Sequence, residues 1–228
     1  FQEFFTDSPL VRKYVSDEGN YEKIIKLYEE KDADTPLFLF NVTMQNHSSY
    51  SDWADYDNFS PDITVEGSDS KLLPAYLSLI RLSDSAIQNL VSYFEAQEEP
   101  TMIVFFGDHQ PADSVVRPVW KLNGKDDADL TDEEEALRYK VPFFIWANFD
   151  TEAESDLEIS ANYLAAKTLD AAGLPKSAYD NFLSQLRTEV PVISANHVTL
   201  SDGTFTTASK QKDLLYDYQT LQYYLLFD

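Results

Sequence analysis

The run Thr101 to Pro111, TMIVFFGDHQP, sets a carboxylate beside an imidazole directly after an apolar stretch. Met102 to Phe106 reads as a strand buried on both faces, and Gly107 breaks it. Neighbouring side chains inside a strand point to opposite faces, so Asp108 and His109 can converge only beyond its end. An oxygen and an imidazole nitrogen aimed at one point form a pairing that divalent metals accept. In open α/β sheets, ligands gather at the carboxyl ends of strands. Asp108 and His109 are therefore candidate metal ligands, two of the three or four that such an ion commonly takes. The plainer alternative is a strand exit whose Asp caps a turn and whose His faces solvent.

His47 is the next candidate. It follows a second apolar run, Leu37 to Thr43, through Met44, Gln45 and Asn46. If that run is a strand parallel to Met102–Phe106, both carboxyl ends share one sheet edge, and His47 faces Asp108 and His109 across one crevice. An imidazole there could donate a hydrogen bond to a metal-bound phosphate or shuttle a proton to its leaving oxygen. The alternative is a histidine on a surface loop. His197 sits by an expected hairpin, where a structural role is favoured.

These residues need a scaffold, and the hydrophobic spacing supplies one. Residues 20–31 carry Tyr21, Ile24, Ile25 and Tyr28 at helical intervals. A longer helix starts near Pro74, with Leu77, Ile80, Ile87, Leu90, Val91 and Phe94 on one stripe, and ends before Pro100. Val141 to Ala147 is a third strand. Ser160 and Ser177 are expected helix caps, the first helix stopping at Gly173. Val192 to Thr207 reads as a hairpin around Ser201-Asp202-Gly203, and Leu214 to Phe227 as an aromatic helix. Alternating strands and helices imply parallel pairing with helical crossovers, hence an α/β sandwich. Three core strands are few for such a sheet, so part of it is expected to be missing.

Composition limits the partners. The chain has 228 residues, enough for a single domain, with 40 acidic against 17 basic residues and a net charge of -23. Such a body repels a nucleic-acid backbone and an anionic membrane surface. A phosphate-accepting site on it needs local positive charge, which a metal ion supplies. Seven of the ten residues from Asp126 to Glu135 are acidic, an expected exposed loop. No cysteine is present, so disulfides and thiolate chemistry are excluded. No apolar run approaches the roughly 20 residues that span a bilayer, and no signal peptide opens the chain. Phe1 is not an initiator residue, and the chain reads as a piece of something longer.

FLFNVTMQNHSSY, IVFFGDHQP and the closing DYQTLQYYLLF together resemble the carboxyl-terminal half of the lipoteichoic acid synthase-like sulfatases. That group lies in the alkaline phosphatase superfamily and includes phosphoglycerol transferases. The resemblance implies a partial α/β/α sandwich with a mainly parallel central sheet, followed by a small hairpin and helix. It implies a divalent metal, typically manganese, held by a Glu, a nucleophilic Thr and an Asp-His pair, the pair matching Asp108 and His109. His47 matches a histidine that contacts the substrate phosphate. It further implies attack by the Thr on a phosphatidylglycerol-type phosphodiester, and transfer of the glycerophosphoryl group to an acceptor. The protein would sit on the outer face of a membrane, anchored by upstream helices. Glu and Thr belong to the amino-terminal half of that domain, which is absent here, so weak metal binding and no activity are expected of this piece alone. Lys13-Tyr14 stands where relatives often have Trp-Gly, and Ser48-Ser49 where a second His or Gly-Pro often follows, so the substrate is not carried across. Two other readings remain: a sulfatase or phosphodiesterase acting on a soluble ester, and a non-catalytic surface module.

Overall fold

The computed structural model describes residues 2–227; Phe1, singled out above as an unusual start, lies outside them. The chain forms two compact units, one of residues 1–99 and 111–130, the other of residues 100–110 and 131–228.

In the first unit a short hairpin, β1 (Leu10–Val11) and β2 (Tyr14–Val15), turns through Arg12 and Lys13. Ser16 then starts α1 (Asp17–Glu30) by accepting a hydrogen bond from the Gly19 N–H. The acidic first turn of Asp17 and Glu18 suits the positive end of the helix dipole. α2 (Leu72–Glu95) buries Leu90 and Phe94 of the expected stripe, but its first half turns Leu73 and Leu79 inward and leaves Ile80 exposed. Tyr28 of α1 meets Phe94 of α2 edge to face at 5.1 Å, a favoured geometry for two rings. α3 (Asp113–Leu122) packs on α2 and brings Val115 into a core with Tyr50, Phe59, Leu73, Ala75 and Leu79. α3 was not among the expected helices, although Val115, Val116, Val119 and Trp120 share one face of it; Pro118 lies inside it.

The second unit is built on β3 (Met102–Phe106) and β4 (Phe143–Ala147), paired from Met102↔Ala147 to Phe106↔Phe143. Phe105 stacks on Phe144 across this ladder at 5.2 Å. The acidic run closes into a short helix, α4 (Asp132–Ala136), through a capping box between Thr131 and Glu134. α5 (Leu164–Ala171) ends before Gly173, whose φ of +64° stops the helix. α6 (Ala178–Glu189) opens on the expected Ser177 cap, reciprocated by Asp180. The hairpin segment forms three antiparallel strands, β5 (Val192–Ile193), β6 (Val198–Thr199) and β7 (Phe205–Thr206). α7 (Lys212–Phe227) closes the unit. Tyr163, Leu183, Leu186, Val190, Val198, Leu215 and Tyr218 form its core. His197 is buried, with 8% exposure, and stacks on Phe205 at 4.7 Å.

Two expectations change. β3 and β4 pair antiparallel, as do all ladders among the described residues. The order of elements implied a parallel crossover, but α3 packs on α2 in the first unit instead of bridging these strands. Residues 37–43 belong to no helix and join no ladder. Phe38 is 89% and Phe40 74% exposed, although their sequence reads as a buried central strand. Among the described residues, no helix is long and apolar enough to cross a membrane.

Two outcomes follow from the packing. Leu79→Ala removes a side chain with 0% exposure, so urea unfolding should register a loss of ~2–5 kcal/mol, against at most ~0.5 kcal/mol for Phe38→Ala. Burial holds the His197 pKa below its ordinary 6.5, helped by Lys140 and opposed by Glu158. The unfolded chain thus binds a proton that the folded chain refuses, and stability falls as pH drops from 6.5 through the folded value. His197→Gln should flatten that part of the stability–pH curve; an unchanged slope would refute the assignment.

Candidate functional site

Gly107 continues the β3 ladder by donating its N–H to the Pro142 carbonyl at 3.0 Å. A Cβ there would stand 3.1 Å from Val141 Cβ, so glycine permits the close approach of the two chains. The backbone then leaves the sheet, and Asp108 and His109 emerge side by side as expected. Asp108 Oδ1 accepts the His109 backbone N–H at 2.8 Å. His109 Nδ1 lies 2.8 Å from the Gln110 carbonyl. A carbonyl only accepts, so the ring proton sits on Nδ1 and Nε2 keeps its lone pair. That Nε2 is 3.7 Å from Asp108 Oδ2, and both side chains are largely exposed. Gln110 anchors the turn by donating from Nε2 to the carbonyls of Leu137 (3.0 Å) and Lys140 (2.6 Å).

The pair fits a divalent metal as part of a ligand set. At bond lengths of ~2.0–2.2 Å, adjacent ligand atoms of a tetrahedral ion stand ~3.4 Å apart, close to the 3.7 Å observed. The carbonyl on Nδ1 is also the outer support that orients metal-binding histidines. The set is incomplete: among the described residues, no three His, Cys, Asp or Glu side chains come together to hold an ion.

His47 lies in the first unit, on the loop that follows residues 37–43. Its N–H bonds the Met44 carbonyl at 3.0 Å. Its Nδ1 stands 2.9 Å from the Ser48 carbonyl and 3.2 Å from the Tyr14 hydroxyl, which itself donates to Ser48 at 3.0 Å. The Ser48 carbonyl assigns the proton to Nδ1, so exposed Nε2 is free to accept a proton or, once protonated, to donate one. The Tyr14 ring meets the imidazole at 5.8 Å and 60°.

The residues that hold this loop were not legible in the sequence. Arg12 has φ +55° and only 1% exposure. A non-glycine residue in that conformation costs ~1–2 kcal/mol, which its contacts must offset. Its guanidinium donates to the carbonyls of Ser49 (2.6 Å), Gln45 (2.8 Å) and His47 (2.8 Å), and to Asp52 Oδ1 (3.2 Å). Burial pulls the Asp52 carboxyl upward, but hydrogen bonds from Lys13 and Arg12 outweigh it and hold the group below its ordinary value. On the other side, Gln45 accepts the Asp17 N–H at 3.0 Å and donates to Ser83 Oγ at 3.1 Å. Asn46 also donates to Ser83, at 2.7 Å. Burial raises the Asp17 pKa, opposed by the hydroxyls of Ser83 and Thr43. The helix was expected only from residue 20, and the tie of Asp17 to Gln45, 28 positions away, left no local trace.

Comparisons with known proteins agree with this architecture. The chain is 24% identical over 226 residues to a putative cyclic beta-1,2-glucan modification protein of Rhizobium meliloti (strain 1021), which covers 94% of this chain and 34% of that protein. Its fold matches the Streptococcus pyogenes phosphoglycerol transferase GacH, solved in complex with sn-glycerol-1-phosphate, with a TM-score of 0.63 and 20% identity. That match covers 96% of this chain and 51% of the transferase. The chain therefore spans between a third and a half of these relatives, and the expected α/β architecture of sulfatase type is borne out as a partial fold. The family model described as Sulfatase matches residues 1–174, and the chain belongs to the sulfatase family.

Proposed function

We propose that this chain is the carboxyl-terminal part of a metal-dependent phosphoglycerol transferase domain acting on a phosphatidylglycerol-type phosphodiester. The observation that carries the reading is the exit from β3. There the free Nε2 of His109 and the Asp108 carboxylate stand at metal-ligand separation, in a fold shared with a transferase solved with a glycerol phosphate. Asp108 and His109 would hold a divalent ion, manganese being the one that the resemblance to the lipoteichoic acid synthase-like group implies. Such an ion neutralises phosphate charge and lowers the pKa of a hydroxyl nucleophile.

The chain's own groups account for the rest of its part. Gln110 and Gly107 fix the turn so that the two ligands need not be ordered on binding. His47, with its proton held on Nδ1 by Ser48, offers Nε2 to a phosphate oxygen or to the leaving oxygen. Other metal ligands and the nucleophile would come from residues outside this chain. The protein would act at the outer face of a membrane.

Two measurements test this. Titrating the chain with manganese by calorimetry should give a Kd in the micromolar range or weaker, since two protein ligands hold such an ion poorly. Sub-micromolar binding that vanishes in Asp108→Ala would overturn the incomplete-site reading. In the complete protein that carries this chain, His109→Ala or Asp108→Ala should cut diacylglycerol release from phosphatidylglycerol vesicles by at least ~100-fold, the usual scale for a lost charge-stabilising group. Activity within threefold of the parent would remove these residues from the site. Hydrolysis of a soluble sulfate ester with no action on the lipid would favour the sulfatase reading instead.

A further inference from the structure

We infer that Arg12 is a positioning residue for His47: its buried guanidinium sets the backbone on which the imidazole is aimed. The inference rests on the phosphate-facing role proposed for His47. Residues 45–49 belong to no helix or strand, yet three of their carbonyls converge on one buried side chain. One side chain supplies the donors. Nη1 serves Ser49, and Nη2 serves both Gln45 and His47. The three acceptors alternate along the chain, so the planar fork ties down the carbonyl of His47 itself and those two residues before and after it.

Arg12 touches no solvent through its side chain, which has 0% exposure, so it acts through the loop and not on a ligand. The fork is itself held. Tyr14 and Tyr50 place rings 5.4 and 5.8 Å from its Cζ, and Asp52 takes Nη1 at 3.2 Å. Asn58 ties the hairpin by donating to the carbonyls of Leu10 (2.9 Å) and Arg12 (3.0 Å). Tyr14, the residue two beyond Arg12, closes the circuit at the imidazole. Lysine retains the charge but has a single nitrogen, which cannot span three carbonyls in a fixed plane.

The test uses the chain itself, with sn-glycerol phosphate as the probe and the His47 ring resonances as the readout. In the parent, the 15N shifts should report the Nδ1–H tautomer, and the probe should move the His47 signals. Arg12→Lys should mix the two tautomers and weaken probe binding at least tenfold. Asp52→Asn, which leaves the guanidinium in place, should weaken it about threefold with a partial tautomer change. Aromatic and methyl shift dispersion shows that each variant is folded. Should Arg12→Lys not fold, Asp52→Asn decides alone. A folded variant with the parent's tautomer and affinity overturns the inference. If His47→Ala binds the probe as tightly as the parent, the phosphate role of His47 fails, and the tautomer readout still decides whether Arg12 sets the ring.

Discussion

Backbone that leaves regular structure still has to pair its polar groups, and at both candidate stretches of this chain one side chain reaches several carbonyls. At the β3 exit, Gln110 donates to two carbonyls of the segment before β4. At the His47 loop, Arg12 donates to three. Neither stretch could hold an imidazole in one orientation without these donors, because a loop lacks the repeating ladder that orders a strand. Each imidazole then has its Nδ1 against a carbonyl, of Gln110 or of Ser48, which leaves Nε2 for chemistry. The same local device appears in two unrelated loops.

The two supports differ in burial, and so in what they ask of the fold. Gln110 works near the surface, next to candidate ligands that are mostly exposed. Arg12 is desolvated, which is tolerable only because a carboxylate, three carbonyls and two aromatic faces surround it. Its Nε has no hydrogen-bond partner among the described residues, and the charge is costly to alter one atom at a time, since each lost acceptor leaves a further donor unpaired. Asp17 makes the contrast. Its carboxyl faces hydroxyls and no cation, and burial raises its pKa.

Local patterns carried much of the architecture. β3 occupies the expected residues Met102–Phe106, since five apolar residues ended by glycine leave little choice. The Ser177 cap, the Gly173 stop and the aromatic carboxyl-terminal helix stand as read, because caps and stripes are written within a few residues. Pairing direction was not written there. An apolar run says that a strand wants neighbours, not which ones, and β3 found β4 in antiparallel register. Residues 37–43 show the same limit, with the composition of a central strand and most of their apolar surface open.

By itself, the sequence determined the candidates: the Asp108-His109 pair past a glycine-ended strand, His47 after an apolar run, a cysteine-free acidic body and membership of a recognisable family. Those facts depend on residue type and near-neighbour spacing, which survive without coordinates. Only tertiary structure decided that His109 Nε2 faces Asp108, and that Arg12 and Gln45 hold the His47 loop from opposite sides. The Gln45 contact to Asp17 and the Arg12 contacts to the loop carbonyls join residues 28 to 37 positions apart. Hydrogen-bond demand fixes how many partners a buried group needs, while chain packing alone chooses which residues answer it.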